Sequence, residues 1–140
     1  GFTAQGLVAF HSDHKYLILA HSQPVYRELG RMVADAGKGD PSDLAVRYIS
    51  VLMAALRKPA TPRQHVNVLQ HLMGYLKDKI DADDRAELVE TIEQYRQGLL
   101  PLIVPIVLLK HHFRRHPEPY VARQHYLEPH PAELMLRNRI

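Results

Sequence analysis

The sequence predicts an all-α fold: a compact single domain of about six main helices, followed by short C-terminal helical turns. Three observations carry this prediction. Apolar residues recur at three- and four-residue spacing along most of the chain, which is the period of a helix with one buried face. Capping residues and prolines stand where such helices would begin, and no segment alternates apolar and polar residues long enough to indicate a strand.

The first three predicted helices fill the N-terminal part of the chain. The first covers residues 3–20, and the second begins after Ser22 and ends at the glycines 37 and 39. The third begins at Asp40-Pro41, where the aspartate can cap a helix that has proline in its first turn, and it ends near Lys58. Together these signals predict three successive helices joined by short turns.

The fourth and fifth predicted helices also have clear start signals. Thr61-Pro-Arg-Gln64 is a capping box with proline at the first helical position, and the apolar pattern that follows continues to about Ile80. Asp81 caps the fifth helix, and Gly98 ends it.

The sixth predicted helix and the C-terminal turns are rich in proline. Pro101 opens the helix, Pro105 is expected to kink or restart it because proline has no amide hydrogen, and Pro117 ends it. Further prolines at 119, 129 and 131 leave room only for short helices joined by extended turns.

The composition narrows the possible chemistry. The chain has 140 residues, 10 histidines, no cysteine and a formal net charge of +3. Without cysteine it can form no disulfide, thiolate nucleophile or Cys-ligated zinc or iron–sulfur centre. No apolar run reaches the roughly 18 residues of a membrane span, and no secretory signal is present, so we expect a cytoplasmic protein. We expect one domain over residues 1–140; its start at Gly1-Phe2, without an initiator methionine, suggests either a domain excised from a longer protein or residues left by cloning.

The last third of the chain is basic. Residues 101–140 contain six basic and three acidic side chains and five of the histidines. Six of the seven residues in Lys110-His-His-Phe-Arg-Arg-His116 carry nitrogen-bearing side chains, a density that exceeds what helix capping requires. This cluster would repel itself without an anionic partner, and phosphate is the natural one. A solvated basic surface is the alternative.

A second unusual feature is a polar stripe on the fourth predicted helix. Asn67, Gln70, His71 and Gly74 lie at helical spacing beside a normal apolar face. A solvated helix face is usually built from Lys and Glu, and a mid-helix glycine costs up to about 1 kcal/mol relative to alanine. The stripe either faces a ligand or forms a polar network between helices with a close crossing at the glycine.

The first predicted helix carries several histidines. His14 and His21 lie on its apolar face and are expected to be core histidines, whereas His11, Lys15 and Ser22 form a neighbouring polar patch. That patch could meet either a phosphate or water.

A metal site is an alternative built from histidines and carboxylates. His112 and His116 have the spacing of two ligands on one helix, and a shell could be completed from Glu118, His125, Glu128 and His130. However, the chain has no H-E-x-x-H motif, no G-x-S-x-G motif and no P-loop. We therefore assign no catalytic residue and no metal ligand.

Several strings along almost the whole chain resemble the YbgA-like domain of unknown function: Gly6-Leu-Val-Ala-Phe-His-Ser-Asp-His-Lys-Tyr16, Ala20-His-Ser22, Pro59-Ala-Thr61, His65-Val-Asn-Val-Leu-Gln-His-Leu-Met-Gly-Tyr75, Tyr95-Arg96, Pro101-Leu-Ile-Val-Pro105, Tyr126-Leu-Glu-Pro-His-Pro131 and Glu133-Leu-Met-Leu-Arg-Asn138. Members of that family occur as short bacterial proteins or follow a TudS-type desulfidase with a Cys-bound iron–sulfur cluster, which acts on thiolated uracil or on 4-thiouridine in tRNA. The resemblance implies an RNA-recognition role beside that enzyme. It implies no cofactor in this domain, because the cluster belongs to the desulfidase, and it carries over no catalytic residue.

Our leading hypothesis is a tRNA-binding or other RNA-binding module, with a TudS-type desulfidase as its partner in cis or in trans and no membrane partner. The residues expected to bind RNA are Lys15, Arg63, His65, Asn67, Gln70, His71, Lys110, His111, Arg114, Arg115, Arg123, Tyr126, Arg137 and Arg139. A small stand-alone enzyme that acts on nucleotides or thio-bases through its histidines is one alternative. A domain that only packs against the desulfidase is the other.

Overall fold

A computed structural model describes residues 3–128, which form helices and turns and contain no strand. In chain order the helices are α1 (Ala4–Asp13), α2 (Lys15–His21), α3 (Gln23–Ala34), α4 (Pro41–Leu56), α5 (Pro62–Gly74), α6 (Ala82–Arg96), α7 (Ile103–Arg115) and α8 (Pro119–Ala122), followed by a 3-10 helix at His125–Leu127. The predicted all-α fold is confirmed, and so are the short helical turns after Pro117.

The capping residues account for where the helices begin. At the start of α5, the Thr61 N–H donates to Gln64 Oε1 at 2.9 Å and the Gln64 N–H donates to Thr61 Oγ1 at 3.2 Å, which completes the predicted capping box. Ser22 accepts the Val25 N–H at the start of α3. Each cap satisfies an N–H that has no partner within its own helix.

The first predicted helix is broken in two. It was expected to run unbroken over residues 3–20, but it stops after Asp13 and restarts at Lys15. Gln124, which is almost completely buried, holds the break open: its Nε2 donates to the Ser12 carbonyl and its Oε1 accepts the Tyr16 N–H. Insertion of a side chain into the main-chain hydrogen bonds is a recognised cause of a helix break.

Two other expectations about helix ends differ from the structure. The fourth predicted helix ends at Gly74 rather than near Ile80, because the chain tightens into turns with i→i−3 hydrogen bonds such as Leu76 N–H to the Met73 carbonyl. The sixth predicted helix begins at Ile103 rather than at Pro101, so Pro105 lies in its first turn, where a helix tolerates proline.

The core consists of two clusters of buried side chains. The first cluster contains Leu7, Leu29 and Tyr48 and packs helices α1, α2, α3 and α4 together. The second cluster packs α2 together with α5, α6, α7 and the C-terminal turns. α2 belongs to both, since Ile18 lies in the first cluster and Leu19 in the second. No helix within residues 3–128 is long and apolar enough to cross a membrane.

Candidate nucleic-acid interface

The basic end of α7 borders a groove in the described chain. The groove has a volume of about 590 Å³, and its walls come from the second half of α7 and from the turns that follow it. Apolar side chains such as Val107, Val121 and Leu127 contribute to its lining, beside Lys110, His111 and Arg114. The structure therefore brings three of the predicted RNA-binding residues together around one apolar groove.

The cations of this groove differ in their local partners. Arg114 Nη2 lies 3.2 Å from His111 Nδ1, and because a guanidinium can only donate, this contact uses the unprotonated Nδ1. Lys110 Nζ is 2.8 Å from Glu128 Oε1, across the groove. Arg115 is exposed on the same helix. None of the ion pairs formed within residues 3–128 includes Arg114 or Arg115.

The far wall of the groove is attached to the rest of the bundle by Gln124 and Tyr120. The Tyr120 hydroxyl donates to the Ser12 carbonyl at 3.4 Å, the same oxygen that accepts from Gln124 Nε2 at 2.7 Å. Glu118, on this wall, caps α8 by accepting the Tyr120 N–H at 3.0 Å. These hydrogen bonds attach the wall to the junction of α1 and α2.

The polar stripe lies on α5, outside this groove. Gln70 and His71 are exposed, Asn67 is half-buried, and a Cβ added to Gly74 would meet no atom within 4 Å. In the part of the chain that the structure describes, no helix therefore crosses closely at the glycine, which ends α5 instead of interrupting it. Arg63 is exposed one helical turn before Asn67. Within residues 3–128, Gln70 and His71 are therefore accessible to a ligand, and Asn67 is partly so.

A cluster of tyrosines beside the stripe was missed by the sequence reasoning. The Tyr16 hydroxyl donates to the Tyr75 hydroxyl at 3.2 Å, and the Tyr75 and Tyr120 rings stack with centroids 6.3 Å apart. Burial, and then the hydrogen bond with Tyr75, raise the pKa of Tyr16 well above its ordinary value. Lys15 Nζ lies 5.3 Å from the centroid of the Tyr16 ring, so this predicted residue adjoins the cluster. The three tyrosines come from distant segments, and no local pattern could have grouped them.

Two predicted RNA contacts are core residues instead. His65 is 1% exposed and Tyr126 is fully buried, and His65 Nδ1 and the Tyr126 hydroxyl form a hydrogen bond of 2.7 Å. A base bound at the surface cannot reach either side chain in this structure, and we remove both from the candidate interface. The reason is tertiary: the C-terminal turns fold over α5 and cover its His65 side.

The histidines of the first two helices also differ from expectation. His11, expected on a polar patch with Lys15, is buried; its Nδ1 is 2.8 Å from the Tyr48 hydroxyl. Burial, and to a smaller extent the charge of Lys15, lower the pKa of His11. His14, expected in the core, is only half-buried and stacks between the Phe10 and His125 rings. His21 is half-buried, with its Nδ1 2.8 Å from the Lys58 carbonyl oxygen.

The remaining predicted residues lie elsewhere. Arg123 is exposed at a second groove, about 600 Å³ in volume, where its Nε is 3.6 Å from Asp13 Oδ1. Arg137 and Arg139 lie outside the residues that the structure describes.

The histidine and carboxylate groups considered for a metal do not converge within the described chain. Between residues 3 and 128 there is no group of three or more metal-ligating side chains close enough to share an ion. His112 is buried, His125 stacks on His14, and Glu128 pairs with Lys110. His130, the remaining member of that set, falls beyond the described residues.

Comparison with known proteins gives a family without an assigned activity. The sequence pattern of a family described as "Protein of unknown function (DUF1722)" matches residues 15–131. The chain is 38% identical over 139 residues to "Uncharacterized protein YbgA" of Escherichia coli (strain K12), an alignment that covers 99% of this chain and 82% of that relative. No solved structure matches the chain.

Proposed function

Since the chain belongs to the DUF1722 family, whose members include the YbgA-like proteins, we propose that it is an RNA-binding domain that holds a tRNA for a desulfidase. In this proposal the partner removes sulfur from 4-thiouridine or thiouracil. The sulfur chemistry needs thiolate ligands or nucleophiles, which this cysteine-free chain cannot supply. The domain therefore contributes binding and positioning, and a TudS-type desulfidase in cis or in trans contributes the reaction.

The observation that carries the proposal is the placement of His111 and Arg114 at an apolar groove. An arginine that forms no ion pair within residues 3–128 can donate two parallel hydrogen bonds to a phosphate, and a neighbouring apolar wall can accept the face of an unstacked base. Phosphate contacts of this kind fix the register of the RNA, whereas selection among bases requires separate polar groups.

We assign base or ribose contacts to the stripe on α5. Asn67, Gln70 and His71 offer amide and imidazole groups that can both donate and accept, which is the chemistry that reads the edges of bases. Arg63 stands at the start of the same face and would hold the backbone beside it. Lys15 would add a second cation next to the tyrosine cluster.

The test is the salt dependence of RNA binding. Fluorescence anisotropy with a labelled tRNA, with and without 4-thiouridine, would be measured between about 50 and 200 mM salt. Three phosphate contacts predict an affinity loss of about 20- to 40-fold across this range. An affinity that does not change with salt, or no binding at the lowest salt, would contradict the proposal. A tRNA that binds equally well with and without the thiolated base would contradict the assigned base selection alone.

A further inference from the structure

The outer face of α4 is apolar at its centre and unpartnered within the described chain. Val46 is 67% exposed, Ile49 38% and Met53 51%, although the opposite face of the helix is buried in the core. Single exposed apolar residues are common, but three on one face of one helix indicate a contact surface.

Two charged residues of this face, Asp43 and Arg57, lie at equal distances from its centre, and Arg47 is exposed on its flank. Asp43, Val46, Ser50, Met53 and Arg57 follow one another at i, i+3, i+7, i+10 and i+14, and all five are exposed. Ser50 lies midway between the aspartate and the arginine, and it lies within one residue of the midpoint between the valine and the methionine. From the N-terminal to the C-terminal end of the helix, these five residues are therefore acidic, apolar, small, apolar and basic.

A face with this order is complementary to a copy of itself turned through 180°. In an antiparallel pair centred on Ser50, the acidic end of each helix meets the basic end of the other, and the apolar residues meet in between. The helix dipoles also run in opposite directions, which favours their pairing. Such a contact uses the same patch on both molecules, as two-fold symmetric dimers do.

We propose that α4 is the interface of a two-fold symmetric dimer, in which Asp43 of each chain pairs with Arg57 of the other. Within residues 3–128 neither of these residues takes part in an ion pair, so both charges are available. Asp40 and Lys58 reinforce the same polarity at the two ends of the helix.

The expected dimer is weak. A helix of 16 residues is about 24 Å long, and one helix packed on its copy lies at or below the lower end of the sizes found for stable interfaces. The association is therefore expected to depend on concentration in the micromolar range or above. RNA binding is not required for it, because the proposed RNA groove lies on α7.

Charge reversal gives the decisive test. Sedimentation velocity would be recorded from about 5 to about 500 µM for the wild type, Asp43→Arg, Arg57→Asp, and an equimolar mixture of the two variants. Each variant alone places like charges opposite one another twice, and its dimerisation constant should weaken by about 10-fold. In the mixture both contacts become opposite-charge pairs, and association should return.

A wild type that stays at its monomer mass of 16.1 kDa at the highest concentration would overturn the proposal. So would a dimer that both variants leave unchanged, because it would use another surface. Failure of the mixture to recover would exclude the antiparallel arrangement.

Cross-linking provides a second readout that does not depend on charge. The chain has no cysteine, so Ser50→Cys creates a single thiol at the proposed two-fold axis, where the two Cα atoms would lie within the roughly 7 Å that a disulfide spans. Mild oxidation should give a covalent dimer quickly. Ala86→Cys, exposed on α6, is the matched control and should cross-link slowly. Equal rates for the two variants would overturn the proposed interface.

Discussion

Gln124 takes over the main-chain hydrogen bond that Tyr16 would make in an unbroken helix. Its Oε1 accepts the Tyr16 N–H at 3.3 Å, and its Nε2 donates at 2.7 Å to the Ser12 carbonyl, which would otherwise be the acceptor. A residue 108 positions away in sequence thus determines that the first helix is divided.

Replacement of Gln124 should destabilise the whole domain. Gln124→Ala removes the hydrogen-bond partner of the Tyr16 N–H and of the Ser12 carbonyl. We therefore expect the free energy of unfolding to fall by about 2–3 kcal/mol. Urea denaturation measures this loss, and hydrogen exchange should show faster exchange of the Tyr16 amide. Gln5→Ala, at an exposed position on α1, is the control and should change stability by less than about 0.5 kcal/mol. A similar small change for both variants would show that the amide contributes no net stability.

Removal of the Tyr126 hydroxyl separates a core role from a binding role. Tyr126→Phe deletes the hydrogen bond to His65 and should lower the free energy of unfolding by about 1–2 kcal/mol, while the RNA affinity of the folded protein stays the same. Denaturation and anisotropy on the same samples check both parts. A loss of RNA affinity without a loss of stability would return Tyr126 to the binding surface.

Arginine pairs on different helices should affect RNA binding differently. Arg114→Ala with Arg115→Ala should weaken all RNAs alike and reduce the salt slope by about 2, since each phosphate contact contributes about 1. Arg27→Ala with Arg31→Ala removes the same charge from α3 and should leave the slope nearly unchanged. His71→Ala should instead alter the preference among RNAs. If the α7 double variant and His71→Ala both lost affinity equally for every RNA tested, the roles assigned to these residues would be contradicted.

Neutralisation of Glu128 should strengthen RNA binding. Glu128 balances Lys110 at the groove, so Glu128→Gln frees a cation there, and we expect affinity at low salt to rise about two- to fivefold. Glu93→Gln, which removes the partner of Arg96 on α6, changes the net charge equally and serves as the control. Equal gains from both variants would indicate a general charge effect rather than a site at the groove.

The stability of the domain should decrease as pH falls below about 6.5. Burial is the main cause that lowers the pKa values of both His11 and His14 below the ordinary histidine value of 6.5. Below that pH these histidines bind protons in the unfolded chain but remain neutral in the folded chain. The free energy of unfolding therefore falls by up to about 1.4 kcal/mol per pH unit for each histidine. Urea denaturation from pH 8 to pH 5 measures the slope. His11→Gln should flatten it, and Gln5→Ala, at an exposed position, should not.

The sequence predicted those features that depend on near neighbours. Ser22, Asp40 and Thr61 cap helices where expected, because a cap and the N–H that it satisfies lie within three residues of each other. The break at His14 could not be predicted, because it depends on Gln124. The same holds for the candidate site. The basic run that begins at Lys110 was sufficient to predict the cations of α7, whereas the burial of His65 and Tyr126 against each other is evident only in the fold.

The sharing of α2 between the two core clusters has a consequence for how the domain loses its structure. Neither cluster can come apart without disturbing Ile18 or Leu19, which are neighbours on one helix. The two halves therefore cannot melt independently, and heating should produce one transition with coincident changes in all spectroscopic signals.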